Sequence, residues 1–247
     1  MSRGKSSGTL ETIKTVLYAM LIAGFVRTMA YEPFNIPSGS MIPSLLIGDY
    51  LFVSKYSYGY SRYSMPFGIG PGGGRLFGKV PERGDVVVFK KPPENRVDYI
   101  KRVVGLPGDR IQMIGGVLHI NGVAVDRQRV EDFVENDRDG NIVRALQYVE
   151  TLPNGKKHRI IEFLGDNGPA DNTQLYVVPP DHYFMMGDNR DNSADSRYLG
   201  EVGYVPAANL VGRAEVLFFS TDGSAALWEV WRWPWAIRYG RLFHGID

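Results

Sequence analysis

Between Arg110 and Val125, three short apolar runs are separated by two turn dipeptides, and this pattern narrows the possible folds more than any other part of the chain. Arg110-Ile111-Gln112-Met113-Ile114 is followed by Gly115-Gly116, Val117-Leu118-His119-Ile120 by Asn121-Gly122, and Val123-Ala124-Val125 closes the series. Gly-Gly and Asn-Gly accept positive φ at both central positions, as a two-residue hairpin turn demands, so the stretch reads as a three-stranded meander. Similar β-branched and aromatic runs recur at Tyr50 to Ser54, Asp85 to Phe89, Tyr99 to Val104, His158 to Phe163, Leu175 to Val178, Tyr183 to Met186 and Val211 to Phe219. No segment after Asp49 keeps a helical period, so this part is mostly β: antiparallel sheet around one main core, with a smaller lobe possible. Three stretches read as loops: Tyr58 to Pro81, Glu131 to Asn141 and Gly165 to Thr173.

The N-terminus obeys a different rule. A leader with Arg3, Lys5 and Lys14 precedes the uncharged run from Thr15 to Val26, after which Arg27 interrupts. Basic residues ahead of an apolar run keep the N-terminus in the cytoplasm and send the downstream chain across the membrane. Counted alone, the run has the length of a cleavable signal core, and Thr28-Met29-Ala30 ends in a small residue. Counted from Ile13 to Tyr31, with Lys14 and Arg27 extending their stems to the two interfaces, it spans a bilayer. The expected division is a leader over 1–12, an anchor over 13–31 and a folded domain over 32–247. The four tryptophans lie between Leu227 and Ile237 among Glu229, Arg232 and Pro234, a mixture that suits a membrane interface or a packed core.

Charge removes one class of function. With 28 basic and 27 acidic residues, the net +1 offers no electrostatic reason to expect nucleic acid. The absence of cysteine excludes disulfides, thiolate zinc sites and a thiol nucleophile.

Chemistry concentrates in three places. In Pro37-Ser38-Gly39-Ser40-Met41-Ile42-Pro43, two hydroxyls and a glycine allow a sharp turn that presents an N–H and a side-chain oxygen to one point, although serine before proline also marks helix starts. A serine nucleophile needs a base. None of His119, His158, His182 and His244 lies in a motif, and no G-x-S-x-G elbow occurs, so lysine is the remaining candidate. Lys101 sits in the β-forming run Asp98 to Gly105, on the face of Tyr99 and Val103; an ammonium held among apolar neighbours loses basicity, whereas one on an edge strand simply faces water. The third place is Gly187 to Arg197. A calcium loop starting at Asp191 fails there, because its sixth position is Ser196 rather than glycine and its twelfth is Val202 rather than glutamate, so no metal is expected. A polar network pairing Asp195 with Arg197 or another arginine fits better.

Together with Arg83-Gly84-Asp85-Val86-Val87-Val88-Phe89 and the run Tyr99 to Asp109, these segments resemble, in order, the sequence boxes of bacterial type I signal peptidases, from about Ala30 to Leu217. The resemblance implies an antiparallel β-sheet catalytic domain on a single N-terminal transmembrane helix, in a serine endopeptidase without a cofactor. It makes Ser40 the nucleophile and Lys101 the general base, with Ser38 and the Ser40 N–H holding the oxyanion. Ser193 would orient the Lys101 amine, and Asp195 and Arg197 would pair beside it. Phe34, Ile36, Pro37, Met41, Leu45, Tyr99 and Ile100 would wall pockets for small residues of an Ala-x-Ala site in signal-peptide-bearing pre-proteins. The lipid bilayer is the other expected partner, with the catalytic domain on the periplasmic side of the inner membrane. Two rival readings are a self-cleaving repressor-type Ser/Lys protease and a tethered, non-catalytic β-domain. The membrane segment and the absence of an N-terminal DNA-binding domain oppose the first, and the joint presence of Ser40, Lys101 and the Ser193 box opposes the second.

Overall fold

The computed structural model of the chain describes residues 5–65, 68, 70, 71, 74–136, 142–225 and 228–246. Its N-terminal segment is one helix, α1 (Lys5–Met29). The apolar part, Gly8–Met29, is 22 residues long, and none of its apolar window is buried. At about 1.5 Å per residue this amounts to about 33 Å, against a hydrocarbon core of about 30 Å. Its polar residues are accommodated internally: Thr12 Oγ1 donates to Gly8 O and Thr15 Oγ1 to Glu11 O, both at 2.9 Å. The helix begins before Ile13 and stops at Met29, because Tyr31 already pairs with Ser54 in the first strand.

The strands come in chain order: β1 (Tyr31–Asn35), β2 (Asp49–Ser54), β3 (Val86–Lys90), β4 (Asp98–Gly105), β5 (Arg110–Ile114), β6 (Val117–Ile120), β7 (Val123–Ala124), β8 (Asp126–Arg129), β9 (Phe133–Asn136), β10 (Ile142–Thr151), β11 (Lys157–Glu162), β12 (Tyr176–Val177), β13 (His182–Met186), β14 (Val205–Pro206) and β15 (Leu210–Ser220). They form a seven-stranded antiparallel sheet in the order β1-β2-β15-β3-β4-β13-β14 and two four-stranded sheets, β12-β5-β6-β7 and one in which β10 pairs β11, β8 and β9. The meander forms as the turn residues dictate, with positive φ at Gly115, Gly116, Asn121 and Gly122.

Apolar faces close these sheets around separate cores. One gathers Ile36, Met41, Leu45, Leu51, Val53, Val86 and Leu217; another holds Val87, Phe89, Val103 and Met185; a third unites Val104 and Phe184 with the meander residues Ile111, Met113 and Leu118. The large sheet curls, so that β1 and β4, well separated in its order, line the same cavity.

Two readings change here. The charged stretch from Glu131 is not all loop, since Phe133–Asn136 pairs with the start of β10; residues 137–141 lie outside the described set. In the tail, Trp233 packs against Phe219 with ring centroids 5.0 Å apart, while Trp228, Trp231 and Trp235 are exposed rather than packed in a core.

Candidate active site

Beyond β1 the chain turns repeatedly from Ile36 to Gly48. Ile42 N–H donates to Gly39 O and Leu45 N–H to Met41 O, but the turns do not develop into a helix, so Ser40 is not a helix cap. Met41 and Leu45 are fully buried and fix the turn in the core behind it; they are not among the groove's lining residues. Asp49 ties the far end of the turn, accepting from Leu46 N–H at 2.8 Å, Ser220 Oγ at 2.6 Å and Arg241 Nη2 at 2.6 Å. Arg241 also donates to Ser44 O and Arg238 to Ile47 O, so the C-terminal tail grips the segment that carries Ser40.

Lys101 lies in the middle of the large sheet, paired with Val87 of β3 on a strand whose other neighbour is β13, and is only 3% exposed. This excludes the water-facing edge lysine. Its Nζ reaches Ser40 Oγ at 2.6 Å and Ile100 O at 3.0 Å, and lies 5.3 Å from the centre of the Tyr99 ring. Burial pushes the amine down to about 8, although Asp195 and Asp188 pull it the other way. An amine so placed is partly neutral at physiological pH and can accept a proton from the hydroxyl it touches.

The polar segment after β13 holds the Ser40 turn from below. Asn189 N–H donates to Ser40 O and Asn189 Nδ2 to Gly39 O. Asp195 receives both Gly187 N–H and Arg197 Nε; burial alone would raise its carboxyl, but the Arg197 guanidinium outweighs this and holds it below the usual range. Ser193 Oγ is buried beside the Asp195 carboxylate, which it helps to hold down, and the amine's hydrogen bonds run to Ser40 and Ile100 rather than to Ser193. The polar segment and the Ser40 turn meet at Gly187, where a Cβ would sit 2.2 Å from Ser193 Oγ and 2.5 Å from Ser40 O. Gly187→Ala is therefore expected to displace the Ser40 turn and to lower kcat by roughly 100-fold with the fold retained, as activity measured beside near-ultraviolet circular dichroism would show.

Ser40 and Lys101 open onto a groove of about 690 Å³. Five of the seven expected wall residues line it, namely Phe34, Ile36, Pro37, Tyr99 and Ile100, and Ser38 stands at its exposed rim. Asn35, Gly39, Val88, Val97, Asp98, Asn192 and Ala194 complete the lining; the last two come from the polar segment, which carries no apolar pattern to mark them.

Two buried ionic groups escaped sequence reasoning because nothing in a single strand indicates its partner. Arg102, next to Lys101 but facing the opposite way, holds Asp188 through Nε at 2.9 Å and Nη2 at 2.8 Å, and Asp188 also accepts from Ser44 Oγ. Arg190 grips Glu150 of β10, with His158 Nε2 at 3.3 Å from the same carboxylate. Ile161 N–H donates to Asp188 O and Arg190 N–H to Ile161 O, so β11 is stitched along the same polar segment.

A serine hydroxyl bonded to a desolvated amine in an open groove is the arrangement required of a serine peptidase whose base is lysine. Residues 9–219 match the family model described as signal peptidase, peptidase S26, and the chain belongs to that family. It is 42% identical over 224 residues to a signal peptidase I of Rickettsia typhi, covering 86% of this chain and 83% of that one. It is 41% identical over 226 residues to the signal peptidase I of Rickettsia conorii, covering 87% and 83%. A solved structure of a signal peptidase I from Enterococcus faecalis is 27% identical, covers 55% of this chain and 97% of that chain, and superposes with a TM-score of 0.32.

Proposed function

We propose that this chain removes N-terminal signal peptides from exported pre-proteins after an Ala-x-Ala site, through an acyl-enzyme on Ser40 with Lys101 as general base. The observation that carries the reading is the 2.6 Å contact between Lys101 Nζ and Ser40 Oγ within the groove. The neutral amine takes the Ser40 proton as the oxygen attacks the scissile carbonyl. The Ser40 N–H donates to no group among the described residues and, with the Ser38 hydroxyl, is available to the oxyanion. Collapse of the tetrahedral intermediate passes the proton from Lys101 to the leaving amine, and the Lys101 amine then activates the water that hydrolyses the ester. Ser193, Asp195 and Arg197 are positioning residues for this pair. The apolar walls from Phe34, Ile36, Pro37, Tyr99 and Ile100 favour small side chains one and three residues before the cut, because larger ones overpack them.

The basic leader keeps the N-terminus in the cytoplasm, α1 crosses the inner membrane, and the sheet domain works on the periplasmic side where signal peptides emerge. Holding enzyme and substrate at one surface raises their effective concentration. The test is cleavage of a precursor with an Ala-x-Ala site by the detergent-solubilised chain, with sequencing of the new N-terminus. A cut after the second alanine that is lost when that alanine becomes leucine supports the reading; equal cutting of the leucine precursor removes the specificity proposed here.

A further inference from the structure

A second cavity, of about 400 Å³, opens where α1 meets the sheet domain. It shares Phe34 and Asp98 with the groove, so the two adjoin. Gly24, Arg27 and Thr28 of the last turns of α1 form one wall, and Glu32, Lys55 and Lys90 supply charge from the ends of β1, β2 and β3. Two of these charges close on themselves: Lys55 pairs with Glu32 at 2.9 Å and Lys90 with Asp98 at 2.9 Å. Among the described residues Arg27 pairs only with the already paired Glu32, at 3.6 Å, with its side chain 69% exposed. Three cations therefore face two carboxylates, and the surplus positive charge is on Arg27.

We propose that this cavity holds the phosphate of one membrane phospholipid, with Arg27 as its main ligand and, as its second, an ammonium donor of Lys90 not used on Asp98. The inference rests on the membrane anchor proposed for α1. If Gly8–Met29 spans the bilayer, Arg27 and Thr28 lie in its final turn, at the depth of the headgroups, where the abundant anion is lipid phosphate. Guanidinium is suited to phosphate because its planar fork donates two parallel bonds. Glu32 and Asp98 on the opposite side disfavour a free, doubly charged phosphate and leave room for a singly charged phosphodiester. Through Asp98 and Phe34 the bound lipid borders the substrate groove where a precursor's apolar segment must re-enter the membrane.

The experiment compares the full chain with Arg27→Gln, Arg27→Lys and Lys90→Gln, each in nanodiscs of phosphatidylglycerol, phosphatidylethanolamine or phosphatidylcholine. Lipids that remain bound after gradual release into the gas phase are counted by native mass spectrometry. Wild type is expected to keep one phospholipid, Arg27→Gln to retain it about 5- to 10-fold less, and Arg27→Lys to recover most of the retention. Retention by Arg27→Gln equal to that of wild type overturns the proposal. So does displacement of the lipid by millimolar inorganic phosphate, which would mark a plain anion pocket. A third overturning result is normal lipid retention in Arg27→Gln with a raised KM for full-length precursor, which would assign the cavity to the substrate. Failure of the anchor itself is distinguishable, because alkaline carbonate would then strip the chain from vesicles, whereas failure of the lipid site leaves it in the membrane pellet.

Discussion

Ser40→Ala and Lys101→Ala are each expected to remove cleavage of an Ala-x-Ala precursor, lowering kcat by roughly 10⁴- to 10⁶-fold, and the double variant should be scarcely worse than either single one. Two groups that act on one proton fail together, so their losses do not add. The pH profile provides an independent check. Lys101 must be neutral to act as base, and burial holds it at about 8, so kcat/KM is expected to rise with pH to a plateau above this value and to fall roughly tenfold per pH unit below it. The same value sets the sign for stability. A lysine whose folded pKa lies below its ordinary 10.5 opposes folding in full below about pH 8, and the cost fades as pH rises toward 10.5. Lys101→Met, inactive as an enzyme, is therefore expected to be more stable than wild type at neutral pH, by about 2 kcal/mol. Cleavage by either Ser40→Ala or Lys101→Ala at the wild-type rate, or a profile flat from pH 6 to 10, would remove the Ser40–Lys101 pair as the catalytic centre.

Much of the sheet was legible because its inward positions are apolar and its turns carry glycine or asparagine. Arg110–Ile114 and Val117–Ile120 coincide with the runs read from sequence, and β2, β4 and β15 differ from theirs by one residue at an end or two. The strand β10 was not legible. Its buried positions are Ala145, Gln147 and Glu150, and Glu150 is stable there only because Arg190, 40 residues away, arrives with a guanidinium. Burial alone would raise the Glu150 carboxyl, yet Arg190 holds it well below the usual range, a cancellation that no local pattern reveals. The site divides in the same way. Residues whose placement follows from type and strand parity, such as Lys101 beside Tyr99, were readable; Asn192, Ala194 and the tail arginines depend on how separate segments meet. Met41 and Leu45 are apolar as a wall requires, but they lie in the core behind the turn and not among the residues lining the groove, and in a turn no strand parity marks the side.

Arg102→Ala is expected to cost 3–5 kcal/mol, roughly 10 °C in Tm, because it strands Asp188 without its counter-ion. Arg102 and Asp188 are each 1% exposed, and the guanidinium also donates to Gly84 O at 2.7 Å, so its loss leaves a carboxylate and a carbonyl buried together. In the native chain burial would raise Asp188, but Arg102 outweighs it and keeps the carboxyl below its ordinary range. A carboxylate depressed in this way adds stability above its unfolded pKa and loses it as pH falls through the folded one; without Arg102 the sign reverses, and stability should fall as pH rises and Asp188 ionises. Thermal unfolding from pH 4 to 8 checks both slopes. The same pair bears on catalysis through its neighbours, because Asp188 accepts from Ser44 Oγ while Asn189 holds the carbonyls of Gly39 and Ser40. A double change, Arg102→Met with Asp188→Leu, removes both charges and should recover most of the lost stability. Its kcat is nevertheless expected to stay low, since leucine gives Ser44 no acceptor and the Ser40 turn loses that restraint. Recovery of both stability and kcat would mean that the ion pair fills space and that the turn is held without it, by the Asn189 bonds, by Asp49 and the tail arginines, and by its buried Met41 and Leu45.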